Sequence, residues 1–205
     1  MKDDQTGSWW QQVTGEAIQG PLKGTRLNLV DHDEISFGLW NGEHPGGRVL
    51  RPDPSVERLY EPADWEEQYS RLRVVTPAAP DDHTPPRTLV YGVSIDGSAK
   101  AYSNASIQRQ SPVVDHVGQT ALLIVMEKDK KSVRAFDRSV DGRELEFFAR
   151  AGSSLTLIDS ETGTEWDFTG RATSGPLKGR QLSRLAIHAD YWFDWKSYHP
   201  NTTLY

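Results

Sequence analysis

A chain of 205 residues without a single cysteine can form no disulfide, no thiolate metal site and no cysteine nucleophile. Its net charge of −6, from 23 Lys and Arg against 29 Asp and Glu, comes with no cluster of basic residues that could act as counter-charge to a phosphate backbone, which argues against nucleic acid as a partner. The longest apolar run, Ala121-Leu-Leu-Ile-Val-Met126, is far shorter than the ~20 residues that span a bilayer, and Met1-Lys-Asp-Asp-Gln5 has no apolar stretch behind its lysine to serve as an export signal.

The first element in the chain is one that returns at its end. Thr14-Gly-Glu-Ala-Ile-Gln-Gly-Pro-Leu-Lys-Gly24 recurs as Thr169-Gly-Arg-Ala-Thr-Ser-Gly-Pro-Leu-Lys-Gly179, an offset of 155 that also carries Leu27 onto Leu182, Trp40 onto Trp195, His44 onto His199 and Pro45 onto Pro200. One extra residue near Val13 makes the offset 156 upstream, where Asp3, Thr6, Gly7 and Trp10 map onto Asp159, Thr162, Gly163 and Trp166. Asp-x-x-Thr-Gly is turn chemistry, the Trp that follows belongs on a short strand, and Gly-Pro-Leu-Lys-Gly demands a tight turn. The repeat therefore predicts two equivalent β-rich units, each closed by an aromatic end.

Arg51–Arg87 is a surface connector, broken by Pro52, Pro54, Pro62, Pro77, Pro80, Pro85 and Pro86, with room for a short helix over Ala63–Arg73. Beyond it, Thr88–Ile95 and Ala99–Tyr102 flank Asp96-Gly97, a strong hairpin signal. Ala121–Met126 reads as a buried strand, Glu127–Lys131 as a charged turn and Ser132–Phe136 as the partner strand. Asp141-Gly142 marks a further hairpin within Val140–Phe147. The predicted class is mainly β, with antiparallel sheets and hairpins and one or two short helices. Its organisation is a partial unit over 1–50, a connector over 51–87 and a β domain over 88–205, or all of these merged into one domain.

Several of these segments agree, in order, with one known family. Val133-Arg-Ala-Phe-Asp-Arg138, Asp141-Gly142, Glu161-Thr-Gly-Thr-Glu-Trp166, Gly175-Pro-Leu-Lys-Gly179 and Trp195-x-x-x-His199-Pro200 resemble the bacterial and archaeal domain of unknown function 3179. In that resemblance, Arg87–Tyr205 corresponds to most of one family domain and Met1–Leu50 to the C-terminal end of another. A start in mid-unit implies processing, truncation or an unusual gene boundary; the preferred arrangement is that Met1–Leu50 completes the sheet of Arg87–Tyr205 in a closed pseudo-symmetric domain, because so short a fragment alone buries too little surface to fold unaided. Members usually carry a Cys-Pro-Leu-Cys segment whose two cysteine positions fall here on Glu127 and Lys130. A His-Glu pair usual ahead of the position of Asp115 is replaced in Gln108-Arg-Gln-Ser-Pro-Val-Val-Asp115. The resemblance thus implies an extracytoplasmic setting in the periplasm or on the cell surface, without thiol chemistry.

Seven Trp are the main functional hint, since flat aromatic faces stack on sugars and anchor protein interfaces as well as filling cores. The candidates for ligand or partner contact are Trp10, Trp40, His44, Trp166, Trp192, Trp195 and His199. Each of the two histidines follows a Trp by four residues and precedes a proline, which suits a structural cap on the indole as well as a contact. His32, His83, His116 and His188 lack zinc-site spacing, so no metal or other cofactor is expected. Gly152-Ser-Ser154 reads as a turn rather than a nucleophile elbow. A carboxylate pair could be drawn from Asp141, Glu144, Asp159, Glu161 or Glu165, whose separation sequence does not give. The expected function is a non-catalytic interaction or assembly module with a protein partner. The alternatives are a carbohydrate or small-ligand binding module and an acid–base enzyme using carboxylates and His199.

Overall fold

The computed structural model describes residues 1–28, 30, 32–75, 82–150 and 155–205. Parts of the predicted connector and the Gly152-Ser-Ser154 turn lie outside these. In chain order, the N-terminal unit supplies β1 (Trp9–Trp10), β2 (Ala17–Gln19) and α1 (Phe37–Glu43). The proline-rich stretch holds a 3-10 helix, Pro54–Leu59, and α2 (Trp65–Arg71), inside the span expected for a helix.

Asp96-Gly97 turns the chain between β3 (Leu89–Ile95) and β4 (Ser98–Ser103), with φ of +49° and +80° at the two turn residues, the positive pair that a two-residue hairpin matched to strand twist requires. After α3 (Asn104–Arg109) come β5 (Val113–Val117), β6 (Thr120–Met126) and β7 (Val133–Asp137), an antiparallel meander with every residue of β6 from Ala121 on buried. The second Asp-Gly turn joins β8 (Ser139–Val140) to β9 (Arg143–Glu144). The C-terminal unit runs through β10 (Phe147–Ala149), β11 (Leu157–Asp159), β12 (Glu165–Trp166), β13 (Ala172–Ser174), β14 (Ser183–Leu185), β15 (His188–Tyr191), α4 (Trp192–Tyr198) and β16 (Thr203–Leu204).

Three four-stranded sheets stack in layers: β15-β3-β4-β16, β14-β7-β6-β5 and β10-β11-β12-β13. The alternation of β6 decides their order. Leu122, Ile124 and Met126 face Tyr91, Val93 and Tyr102 of the first sheet, whereas Leu123 and Val125 face Phe147, Leu157 and Trp166 of the third. A strand buried on both faces reads as an uninterrupted apolar run, which is why Ala121–Met126 carries no polar residue. On the far side of the first sheet, Val90 and Ala101 meet Trp192 and Trp195 of α4.

The repeat holds in detail. In β1–β2, Trp9 pairs with Gln19 and Trp10 with Ala17 across a register shift; in β12–β13, Glu165 pairs with Ser174 and Trp166 with Ala172 across the same shift. Gly20 and Gly175 have φ of +101° and +87°, and a Cβ there would lie 2.7 Å from Cα of Ser8 or 2.8 Å from Cα of Thr164, so both turns require glycine for the same two reasons. Helices α1 and α4 end alike, with φ/ψ of −127°/65° at His44 and −126°/67° at His199.

The segment around α1 is pinned to the central sheet by polar anchors. Val133 N–H donates to the Glu34 carbonyl at 2.7 Å, and Ser36 N–H to Ser132 Oγ at 2.9 Å. Arg134 on β7, 1% exposed, donates Nε to Asp33 at 2.9 Å, grips Glu43 with both terminal nitrogens at 2.8 and 2.6 Å, and lies 4.7 Å from the Phe168 ring centre. Those bonds outweigh burial and hold the Glu43 carboxyl below its ordinary range. Arg134→Met would leave Glu43 without its guanidinium and Asp33 with Arg184 alone, beside a buried aliphatic chain, at a cost of about 3–5 kcal/mol. Urea unfolding monitored by Trp fluorescence measures this, and a loss under about 1 kcal/mol would show that the anchor carries little of the fold.

Candidate functional site

The sequence candidates separate into buried and surface groups. Trp166, Trp192 and Trp195 lie in the core: their indole N–H groups donate to Asp159 at 2.9 Å, Asp82 at 2.6 Å and Thr202 Oγ1 at 2.9 Å. Rings packed and bonded in this way support the sheets and offer no face to a partner. Trp10 and Trp40 are partly exposed and His44 is exposed. His199 is partly buried, its ring 4.0 Å from that of Trp195, while the His44 ring lies 5.3 Å from Trp40 with Nδ1 3.0 Å from the Trp40 carbonyl. Both histidines cap their helices through the backbone, donating N–H to the carbonyl of the preceding Trp at 2.9 Å.

The carboxylates considered for acid–base work are individually engaged. Asp159 accepts from Thr162 N–H, Thr162 Oγ1 and Trp166 Nε1. Glu144 meets His116 at 3.0 Å and Arg138 at 3.2 Å, Asp141 meets Arg180 at 2.8 Å, and Glu165 pairs with Arg150. Glu161 accepts the Glu146 N–H at 2.9 Å. Among the described residues, no three His, Asp or Glu side chains gather closely enough to hold a metal ion.

Besides a hollow of about 380 Å³ where His199 lies with Tyr198, Pro200 and Thr202, two surface features bear on a partner or ligand. The first is a groove of about 330 Å³ on the N-terminal unit, lined by Met1, Trp10, Leu22 and Leu27. Asp3 lines it too, its carboxylate accepting from Trp10 Nε1 at 2.8 Å and Thr6 N–H at 2.6 Å, bonds that hold Asp3 down to about 2. The second is a cleft of about 740 Å³ between α2, the β3–β15 edge and the β6–β7 turn, where Trp65, Tyr69 and Tyr191 stand with Glu34, Asp190 and Lys131. Sequence reading placed Trp65 and Tyr69 on a connector helix and gave no weight to Asp190. The only available signal was the aromatic pair at i and i+4 on α2, whose rings meet edge-on at 5.6 Å.

Burial, with the nearby Asp194 charge added, raises Asp190 to about 6. Folding therefore strengthens its hold on a proton, so its contribution to stability is full below its unfolded value near 3.8 and is lost as the pH rises through about 6. His188 and His199 shift the other way. Burial lowers both, with repulsion from His32, whose ring lies 4.4 Å away, and from His199 adding to the effect on His188. Their contribution is full above the unfolded 6.5 and is lost as the pH falls below it. Asp190→Asn should raise the melting temperature at pH 7.5 and make no difference at pH 4, and an unchanged melt at pH 7.5 would refute the buried-acid account. His199→Ala should cost about 1–3 kcal/mol through lost packing, and His44→Ala less than about 1 kcal/mol because its ring is already exposed. Thermal unfolding of the two variants side by side provides the check.

The family model described as "Protein of unknown function (DUF3179)" matches residues 1–202, the N-terminal unit included. No curated protein matches the chain, and no solved structure does. Since the match spans both units and the sheets between them, the chain belongs to the DUF3179 family.

Proposed function

We propose that this chain is a non-catalytic interaction and assembly module, an accessory subunit of a larger extracytoplasmic complex. The observation that carries the reading is the contrast between its two units. The N-terminal one reproduces the turns, strand pairing and polar scaffold of the C-terminal one yet leaves its apolar groove open. Apolar residues grouped on a formed surface mark a protein interface more often than a catalytic centre. The family resemblance supports the finer points: an N-terminal unit that is a partial second copy of the family domain, Glu127 and Lys130 at the usual cysteine positions, and a place in the periplasm or on the cell surface.

Gentle purification of the chain from its native source, followed by light scattering on a sizing column, tests the reading. A stoichiometric protein partner in a species well above the monomer mass is expected, and a lone monomer would overturn it.

A second reading, a carbohydrate-binding module, is favoured by the α2 cleft, where half-exposed Trp65 and Tyr69 offer ring faces beside hydrogen-bonding carboxylates. Titration with a panel of soluble oligosaccharides would then change Trp fluorescence in the wild type and leave Trp65→Ala unchanged. A flat response from the wild type would reject it.

A further inference from the structure

The chain itself shows what normally covers a unit of this kind. Met1, Trp10, Leu22 and Leu27 occupy the positions of Leu157, Trp166, Leu177 and Leu182 in the C-terminal unit. There, these four belong to one core cluster with Leu123 and Val125 of β6, Phe136 of β7 and Phe147 of β10, and Leu157 and Trp166 are 0% exposed. In the N-terminal unit, Met1 is 66%, Leu22 37% and Leu27 56% exposed.

The vacancy extends to a single ring. Gly170 sits where a Cβ would come within 2.5 Å of the Phe136 ring, so the C-terminal unit is shaped to admit that phenyl group. Its equivalent, Gly15, keeps the same backbone twist, with φ of +65° against +79°. The three atoms nearest to a Cβ there all belong to Leu27, its Cβ the nearest at 3.4 Å, so among the described residues no ring approaches it as Phe136 approaches Gly170.

We propose that the N-terminal groove docks an antiparallel sheet of the same build as β6–β7, carried by another polypeptide of this family, which lays alternating branched aliphatic side chains across Trp10, Leu22 and Leu27 and a phenyl ring over Gly15. The inference rests on the assembly reading above and names the chemistry of the partner. A second copy of this chain does not fit, because the corresponding face of its own β6–β7, with Leu123 and Phe136 at 0% exposure, is already filled by its own C-terminal unit. A fitting sheet is one whose corresponding face is free.

Photo-crosslinking in the native source tests this, with benzoyl-phenylalanine placed at Leu22 or Leu27 in the groove and at Trp65 on α2, outside the groove, as a control. The expected result is crosslinks from the two groove positions to strand residues of a different polypeptide that matches the DUF3179 family. Leu27→Asp, at an exposed position, should lower the crosslink yield from position 22 at least about tenfold, equivalent to about 1.4 kcal/mol, with the melting temperature unchanged. Should that variant melt early, Leu22→Lys read from a probe at position 27 replaces it. Crosslinks from the groove to a second copy of this chain, to an upstream stretch of the same polypeptide or to a protein of another fold would overturn the proposal. If the groove gives none while the chain still travels in a larger assembly, the proposal fails and the assembly reading stands. A chain that travels alone defeats both.

Discussion

A strand buried on both faces needs two covers, and β6 imposes that need on the whole molecule. Its side chains alternate between the β3–β4 layer and the β10–β13 layer, so neither layer can be removed without exposing a row of Leu, Ile and Val. The C-terminal repeat unit is the second of those covers. Its Trp166 has a buried ring because β6 and β7 lie against it, and its Asp159 is buried because the indole N–H of that ring must find an acceptor. The β1–β2 part of the N-terminal unit is built as the same cover, but its apolar groove is lined only by its own residues among those described.

The close agreement of the two units shows which part of the structure is local. The Asp carboxylate, the Thr hydroxyl, the indole N–H and the glycine turns take the same geometry where the unit is buried and where it is open. The Asp3–Trp10 bond is 2.8 Å and Asp159–Trp166 is 2.9 Å; Thr6 Oγ1 and Ser8 Oγ lie 2.7 Å apart, as do Thr162 and Thr164 Oγ1. These bonds close short loops of seven residues or fewer, where the entropy of closure is small, so they form without help from a core. Burial then decides how much each is worth, since a lost bond in the dry unit leaves a polar group with no water to replace its partner.

This division also explains what the sequence disclosed. The Asp-Gly hairpins, the run Ala121–Met126 and the repeat were legible because each is a local pattern with a backbone requirement behind it. Arg134 was not: inside Val133-Arg-Ala-Phe136 it looks like the outward residue of an alternating strand, and only the arrival of Asp33 and Glu43 from about a hundred residues upstream turns that outward face into an interior. The α2 cleft was hidden for a related reason. A short helix between prolines carries no sign of the sheet edge it will face, and the acidity of Asp190 depends on burial and on Asp194 one turn onward. The candidate aromatics divided by environment rather than by type, for Trp10 and Trp166 occupy one motif and differ only in what lies over them.

The aromatic ends of the units show how residue choice follows that difference. In the C-terminal unit the buried Trp195 donates its indole N–H to Thr202, and the His199 ring lies against the indole. The position of Thr202 is occupied in the first unit by Gly47, where even a methyl group would come within 2.3 Å of the Trp40 ring. Both keep the backbone bond that ends the loop, Thr202 N–H to the His199 carbonyl and Gly47 N–H to the His44 carbonyl. A fully buried indole needs a protein acceptor, whereas a partly exposed one can use water, so the hydroxyl is dispensable only where solvent reaches. The turn is therefore held by geometry in both units, while the polar partner follows burial.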